Sequence, residues 1–329
     1  MKPARLWRGP ASIAVCGLLF VLMAALAPAQ TLLVLNKEGN LAIVDPAARR
    51  VLGTVRTGDQ PHEVAVSADG KLAFVSNYGG GSAPGNSLSV IDIPARREIH
   101  RVDLTPLGRP HGLFAVNGKC WFTAESNLAI GRYDPVANRI DQIVGTGQGQ
   151  THMVLALPDE SRLFTSNIAS DSISIIDRAG VGNWKETVIA VGKGPEGFDL
   201  SPDGHQIWSA NSRDGTVSVI DVASRSLLHT FRVQTERSNR LKFSPDGRLV
   251  LISDLAAGQL LILERETRRE LKRMPLGHEV AGVLITPDGS RAYVAVTGDN
   301  NVAVIDLKTL ELIDRLKTGN GPDGMAWVP

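Results

Sequence analysis

The sequence predicts an all-β chain, a seven-bladed β-propeller with four antiparallel strands per blade. Three observations predict it. First, an apolar run ending in an acidic residue recurs seven times, at Asp45, Asp92, Asp134, Asp177, Asp221, Glu264 and Asp306, with gaps of 47, 42, 43, 44, 43 and 42 residues. A fixed period of that length marks a repeat architecture. Second, each period alternates apolar and polar residues and is rich in Val, Ile and Thr, which is strand chemistry. Third, the two ends of the chain complement each other. Leu32–Asn36 (LLVLN) reads as the second strand of a unit, and Gly324–Val328 (GMAWV) reads as a first strand with nothing after it. Joining them closes a ring and hides sheet edges that would otherwise stay open.

The N-terminal segment comes first. Lys2, Arg5 and Arg8 precede an apolar stretch from Ala11 to Leu26, and Ala27-Pro28-Ala29 fits a small-residue cleavage site before Gln30. This predicts a signal peptide over residues 1–29 and a single propeller domain over 30–329, periplasmic or secreted, with no stable membrane insertion after cleavage. A single membrane anchor is the rival reading of the same stretch. Removing the three cations takes the net charge from +1 to near −2, which argues against a surface built to track nucleic-acid phosphates. No nucleic-acid partner is expected, and a monomer is. One cysteine, Cys120, remains after cleavage, so no intrachain disulfide forms and stability must come from the core.

Within one unit the strands read in order. Gly197–Ser201 is the first, Gln206–Asn211 the second, Thr216–Asp221 the third and Leu227–Val233 the fourth. The turns between first and second strands read SADGK, SPDGH, SPDGR and TPDGS. Asp-Gly supplies the positive φ of a tight turn, and Pro presets its entry. The acidic residues that close the third strands recur too regularly to be catalytic. They are expected to bond the backbone of the next turn.

The strings AFVSN, LFTSN and IWSAN, and the run AYVAVTGDNNVAVIDLKTLELIDRLKTGNGPDG, resemble the YVTN-type propeller repeat. The resemblance covers the chain from about Leu32 to Val328. It implies a seven-bladed, WD40-like propeller of a mostly exported bacterial and archaeal family. It implies no reaction, because this fold carries many functions.

The repeats stop being equivalent at one position. Aligned at the start of the innermost strand, with a one-residue gap in the second blade, they read His62, His111, His152, Glu196, Asn239, Ala281 and Asp323. Innermost strands line the central channel, so three imidazoles and two carboxylates from different blades are expected to converge on its mouth. His62, His111, His152, Glu196, Asn239 and Asp323 are therefore the candidate ligand-binding residues. His62, His111, His152 and Glu196 are candidate ligands of a divalent metal, the one cofactor the sequence suggests. The alternative is a solvated mouth, with Gly-Pro-Glu/Asp-Gly serving as turn punctuation.

Several neighbours join the expectation. His278 lies three residues before its slot and can reach the mouth if its loop folds inward. The Gly-rich loop Asn77–Asn86 reads as a flap or as a tolerated insertion. Arg109, Arg237, Arg240 and Lys193 lie near the rim and can receive an anion. His100, His205 and His229 fall on outer strands and a turn. Cys120 reads as a buried, inert thiol.

Three function classes follow. The first is an exported binding or scaffold propeller that recognises a small molecule or a protein partner at the channel mouth. The second is a metal-assisted lyase or lactone hydrolase using the His/carboxylate mouth. Lys119–Pro135, preceded by His111, is similar to one blade of streptogramin-lyase-like propellers. The other blades lack that family's tryptophan-containing second strand, so no catalytic residues transfer. The third is a cofactor propeller like the haem-binding domain of periplasmic nitrite reductases, supported only by available histidines.

Overall fold

A computed structural model describes residues 30–80 and 83–329, together with Met1. The segment expected to be a signal peptide lies, from residue 2 to residue 29, outside the described residues. The described residues form 28 strands and three one-turn 3-10 helices. They make seven four-stranded antiparallel sheets. Blade 1 is Pro61–Val66, Leu72–Asn77, Ser87–Asp92 and Arg97–Asp103. Blades 2 to 6 follow in chain order with inner strands Pro110–Val116, Thr151–Ala156, Pro195–Leu200, Ser238–Phe243 and Val280–Ile285.

Blade 7 is built from both ends of the chain. Its inner strand is Pro322–Val328, and its other three are Thr31–Asn36, Asn40–Asp45 and Arg50–Arg56. Leu32 pairs with Trp327, Leu33 with Ala326 and Val34 with Met325. Neighbouring inner strands touch around the ring, so blade 7 packs on blades 6 and 1.

Second and third strands are apolar on both faces because each blade is sandwiched between two others. Leu32, Val34, Ala42 and Val44 pack with Tyr293, Val302 and Val304 of blade 6. Leu33, Leu35, Leu41 and Ile43 pack the opposite way, on Val64, Val75 and Ile91 of blade 1. Outer strands face solvent and read differently: Leu227, Leu228 and His229 are all exposed. Among the described residues, no helix is long and apolar enough to cross a membrane.

The repeated turns have the expected chemistry. Ser67 Oγ donates to Asp69 at 2.7 Å, and Gly70 takes φ 69°. Asp45 accepts the Ala48 N–H, Asp92 the Ala95 N–H and Asp221 the Ser224 N–H, at 2.7–2.8 Å. These third-strand acids are structural. Cys120 is free and fully buried, and burial pushes its thiol pKa up, away from reactivity.

One irregularity is common to all seven blades. At the start of each inner strand the register slips by one residue, as between the pairs Pro61–Asn77 and Val64–Val75. This is a β-bulge, which bends the strand and re-aims its side chains. The bulge falls on the variable slot, so His62, His111, His152, Glu196, Asn239, Ala281 and Asp323 all leave the blade surface at the same level of the channel.

Candidate functional site

The slot residues line one cavity of about 430 Å³ at the channel mouth: His62, His111, His152, Glu196, Asn239, Ala281 and Asp323 all border it. The residue after each slot decides how closely blades approach. In blades 2, 4, 6 and 7 it is glycine, and a Cβ on Gly324 would lie 2.3 Å from the His62 carbonyl oxygen. Blades 1 and 5 carry Glu63 and Arg240 there instead. These two form a buried ion pair across the channel. Arg240 also donates to the Asn239 carbonyl and side chain, at 3.3 and 3.2 Å.

Blades 1 to 3 make an imidazole half of the mouth. The rings of His62 and His111 lie 5.1 Å apart between centroids, and those of His111 and His152 lie 3.8 Å apart. His62 Nδ1 sits 2.8 Å from the Gln60 carbonyl oxygen, which fixes the proton on that nitrogen. His152 Nδ1 meets Glu125 Oε1 at 2.5 Å, and the Tyr78 hydroxyl donates to Glu125 Oε2 at 2.7 Å. Arg109 lies over the Tyr78 ring at 5.0 Å.

Two nitrogens are left over. His111 Nδ1 and His152 Nε2 are buried and have no hydrogen-bond partner among the described residues. His111 is only 4% exposed and His152 5%. His111 and His152 are therefore packed into the wall of the mouth, while His62 is half-buried.

Burial, against the pull of Asp323, lowers the His62 pKa. Burial lowers that of His111 much further, helped by the neighbouring His152, His62 and Arg240. Both rings are neutral at ordinary pH. Burial and the Glu125 carboxylate push the Tyr78 hydroxyl up to about 12, so it stays a donor.

Blades 4 to 7 make a charged half. Glu196 Oε1 accepts from Asn239 Nδ2 at 2.7 Å, and Lys37 pairs with Asp323 at 3.3 Å. Arg213 and Arg237 stand exposed on the lip.

The expected metal set changes in membership. Ligand atoms of His111, Glu125 and His152 all lie within 4.8 Å of one another, and this group can hold a metal ion. Glu196, on the next blade, is engaged with Asn239 and falls outside the group, and His62 stands beside the group rather than in it. Glu125 comes from the 3-10 turn Glu125–Asn127, which follows the second strand of blade 2. It belongs to a second repeat column that sequence reasoning passed over. The residues just after each second strand are Lys37, Tyr78, Glu125, Ile168, Ser212, Leu255 and Thr297. Five of them line the cavity: Lys37, Tyr78, Ile168, Ser212 and Leu255.

Other expectations resolve differently. His278 does not border the mouth; its exposed ring pairs with Asp299 at 2.8 Å. Lys193 pairs with Asp171 at 2.8 Å, away from the cavity. Of the loop Asn77–Asn86, Tyr78 is the described residue that lines the mouth. The loop is tied down by Gly85 N–H to Tyr78 O (2.7 Å) and Arg109 N–H to Gly85 O (2.8 Å), which does not suit a flap.

No family model matches the chain. It is 24% identical over 257 residues to the uncharacterized protein YncE of Salmonella typhimurium, covering 73% of this chain and 70% of that one. It is also 24% identical over 301 residues to the dihydro-heme d1 dehydrogenase of Pseudomonas aeruginosa, covering 73% of this chain and 59% of that one. Among solved structures it resembles a chain of Kuenenia stuttgartiensis hydrazine synthase, with a TM-score of 0.74 at 21% identity over 84% of this chain and 92% of that chain. These likenesses support a seven-bladed propeller and leave the activity open.

Proposed function

We propose that this chain is an exported binding propeller that takes a small polar ligand into the mouth of its central channel. One observation carries the reading. A cavity of about 430 Å³, a size suited to small ligands, holds two buried imidazole nitrogens with no hydrogen-bond partner among the described residues. A blade-building residue has no reason to bury such a group unsatisfied. A ligand oxygen or N–H placed between the two halves would meet His111 and His152 on one side and Asn239, Glu196 and Asp323 on the other. The divalent ion expected at this mouth belongs to the same reading.

Thermal-shift screening of the mature protein against sugar acids, hydroxy acids and other small polar metabolites tests it. A ligand is expected to raise the melting temperature of the wild type and of His100→Ala, and to lose its effect on Asn239→Ala and His152→Gln. Equal stabilisation of all four proteins would remove the mouth from consideration.

The Glu125–His152 pair favours a second reading, metal-assisted lyase or lactone-hydrolase chemistry. A carboxylate that orients an imidazole beside a cavity is the arrangement a general base requires. Turnover of a lactone by the wild type, lost in Glu125→Gln with ligand affinity retained, would promote it over simple binding.

A further inference from the structure

We infer that His111, His152 and Glu125 form a site for a first-row divalent transition ion whose remaining coordination positions open onto the mouth cavity. The inference rests on the binding reading above and deepens it by naming what the imidazole half of the mouth holds.

The donor set is compact and comes from two adjacent blades. His111 and His152 leave the bulges of two neighbouring inner strands, and Glu125 leaves the turn after the second strand of the His111 blade. Their ligand atoms lie within 4.8 Å of one another. Each histidine has a buried nitrogen without a partner among the described residues. An ion seated among the three would replace the proton between His152 Nδ1 and Glu125 Oε1 and would satisfy His111 Nδ1, whereas a single water in so packed a place needs several polar partners. Two imidazoles and one carboxylate leave room for further ligands, the open arrangement used where a metal binds a second molecule.

The chemistry of the set selects the ion. Calcium and magnesium favour oxygen ligands, and imidazole nitrogen suits zinc, copper, nickel and iron. Tyr78 acts as a positioning residue. Its hydroxyl occupies Glu125 Oε2 at 2.7 Å and leaves Oε1 facing the histidines. Outer contacts of this kind hold metal ligands in orientation.

The test uses the mature protein stripped of metal with a chelator and titrated with Zn²⁺, and with Cu²⁺ for spectroscopy. One Zn²⁺ per chain is expected by calorimetry. The Cu²⁺ electron paramagnetic resonance spectrum should show coupling to two nitrogens. His111→Gln, His152→Gln and Glu125→Gln should each lose the bound ion, and Tyr78→Phe should weaken it by about 10- to 100-fold. His100→Gln, on an exposed outer strand, should bind as the wild type does. A circular-dichroism melt of each metal-free variant checks folding. The copper spectrum of the wild type needs no variant. Wild-type protein that binds no Zn²⁺, or a Cu²⁺ spectrum without nitrogen coupling, overturns the inference. If a metabolite still stabilises that metal-free protein through Asn239, the binding reading stands without the metal. If Zn²⁺ binds as described and no metabolite responds to the mouth variants, the metal site stands and the small-ligand reading falls.

Discussion

Glu63 and Arg240 meet across the channel from inner strands that are not neighbours in the ring. Blades 2 to 4 separate them on one side, and blades 6 and 7 on the other. Their side chains are 13% and 6% exposed, so the pair is a strut beneath the mouth cavity. Blades 6 and 7 carry Gly282 and Gly324 at the same slot, where a side chain would strike the neighbouring blade. Breaking a buried pair leaves one charge uncompensated. Arg240→Met alone should therefore cost about 3–5 kcal/mol. Adding Glu63→Gln should recover much of it. Urea unfolding of the two variants measures the difference; equal losses would mean the pair is not coupled.

Ring closure depends on the last strand. Pro322–Val328 pairs with Thr31–Asn36, and Trp327 stacks near Tyr293 at 5.9 Å between centroids. Deleting residues 324–329 strips an inner strand and opens a sheet edge beside the channel. The truncated protein should lose cooperative thermal unfolding. A melt matching that of the intact chain would contradict the closure.

The fold was legible because its determinants are local and repeated. Alternation and the acidic residue that ends each third strand are short-range signals repeated seven times, and the Asp-Gly turns are repeated four times. The level of the slot residues was also legible, since a repeat position maps to one height in the ring. Glu125 was not. It lies in a loop column whose residues share no chemical type, and its role depends on reaching a histidine in the next blade. The Glu63–Arg240 strut was hidden for a similar reason. The two are 177 positions apart, and only the ring geometry brings them together. Burial of His111 and His152 was missed because an inner strand's start was read as open to water. The bulge and the stacked rings bury them there.

That burial has a consequence for pH. His62 and His111 have folded pKa values below the ordinary 6.5. The unfolded chain then takes up their protons first as the solution is acidified. Their contribution to stability is fully present above about pH 6.5 and is lost as pH falls toward the folded values. The metal-free protein should become less stable between pH 7.5 and 5. His111→Gln should flatten that slope. Denaturant midpoints across the range test this, and an identical slope in the variant would contradict it.

Packing also separates the mouth histidines from the outer ones. His111→Ala or His152→Ala removes a buried ring and should cost about 1–3 kcal/mol. His100 and His229 sit on exposed outer strands, and their replacement should stay within about 0.5 kcal/mol. Thermal melts of the four alanine variants decide between a packed and a solvated mouth.

A second concavity provides the comparison for the central claim. It is an outer groove of about 560 Å³ between blades 4 and 5, lined by Trp208, Arg248, Arg265 and Arg268 among others. Their polar contacts differ from those of the mouth. Trp208 Nε1 donates to Gln206 at 3.1 Å, and Arg265 pairs with Asp203 at 2.8 Å, so the groove already satisfies these donors. The most direct measurement is a crystal structure of residues 30–329 grown with the metabolite that raises their melting temperature most. The account predicts that molecule in the channel mouth, within hydrogen-bond reach of His111 or His152 and of Asn239. Density for it in the Trp208 groove, with the mouth unchanged, would contradict the account.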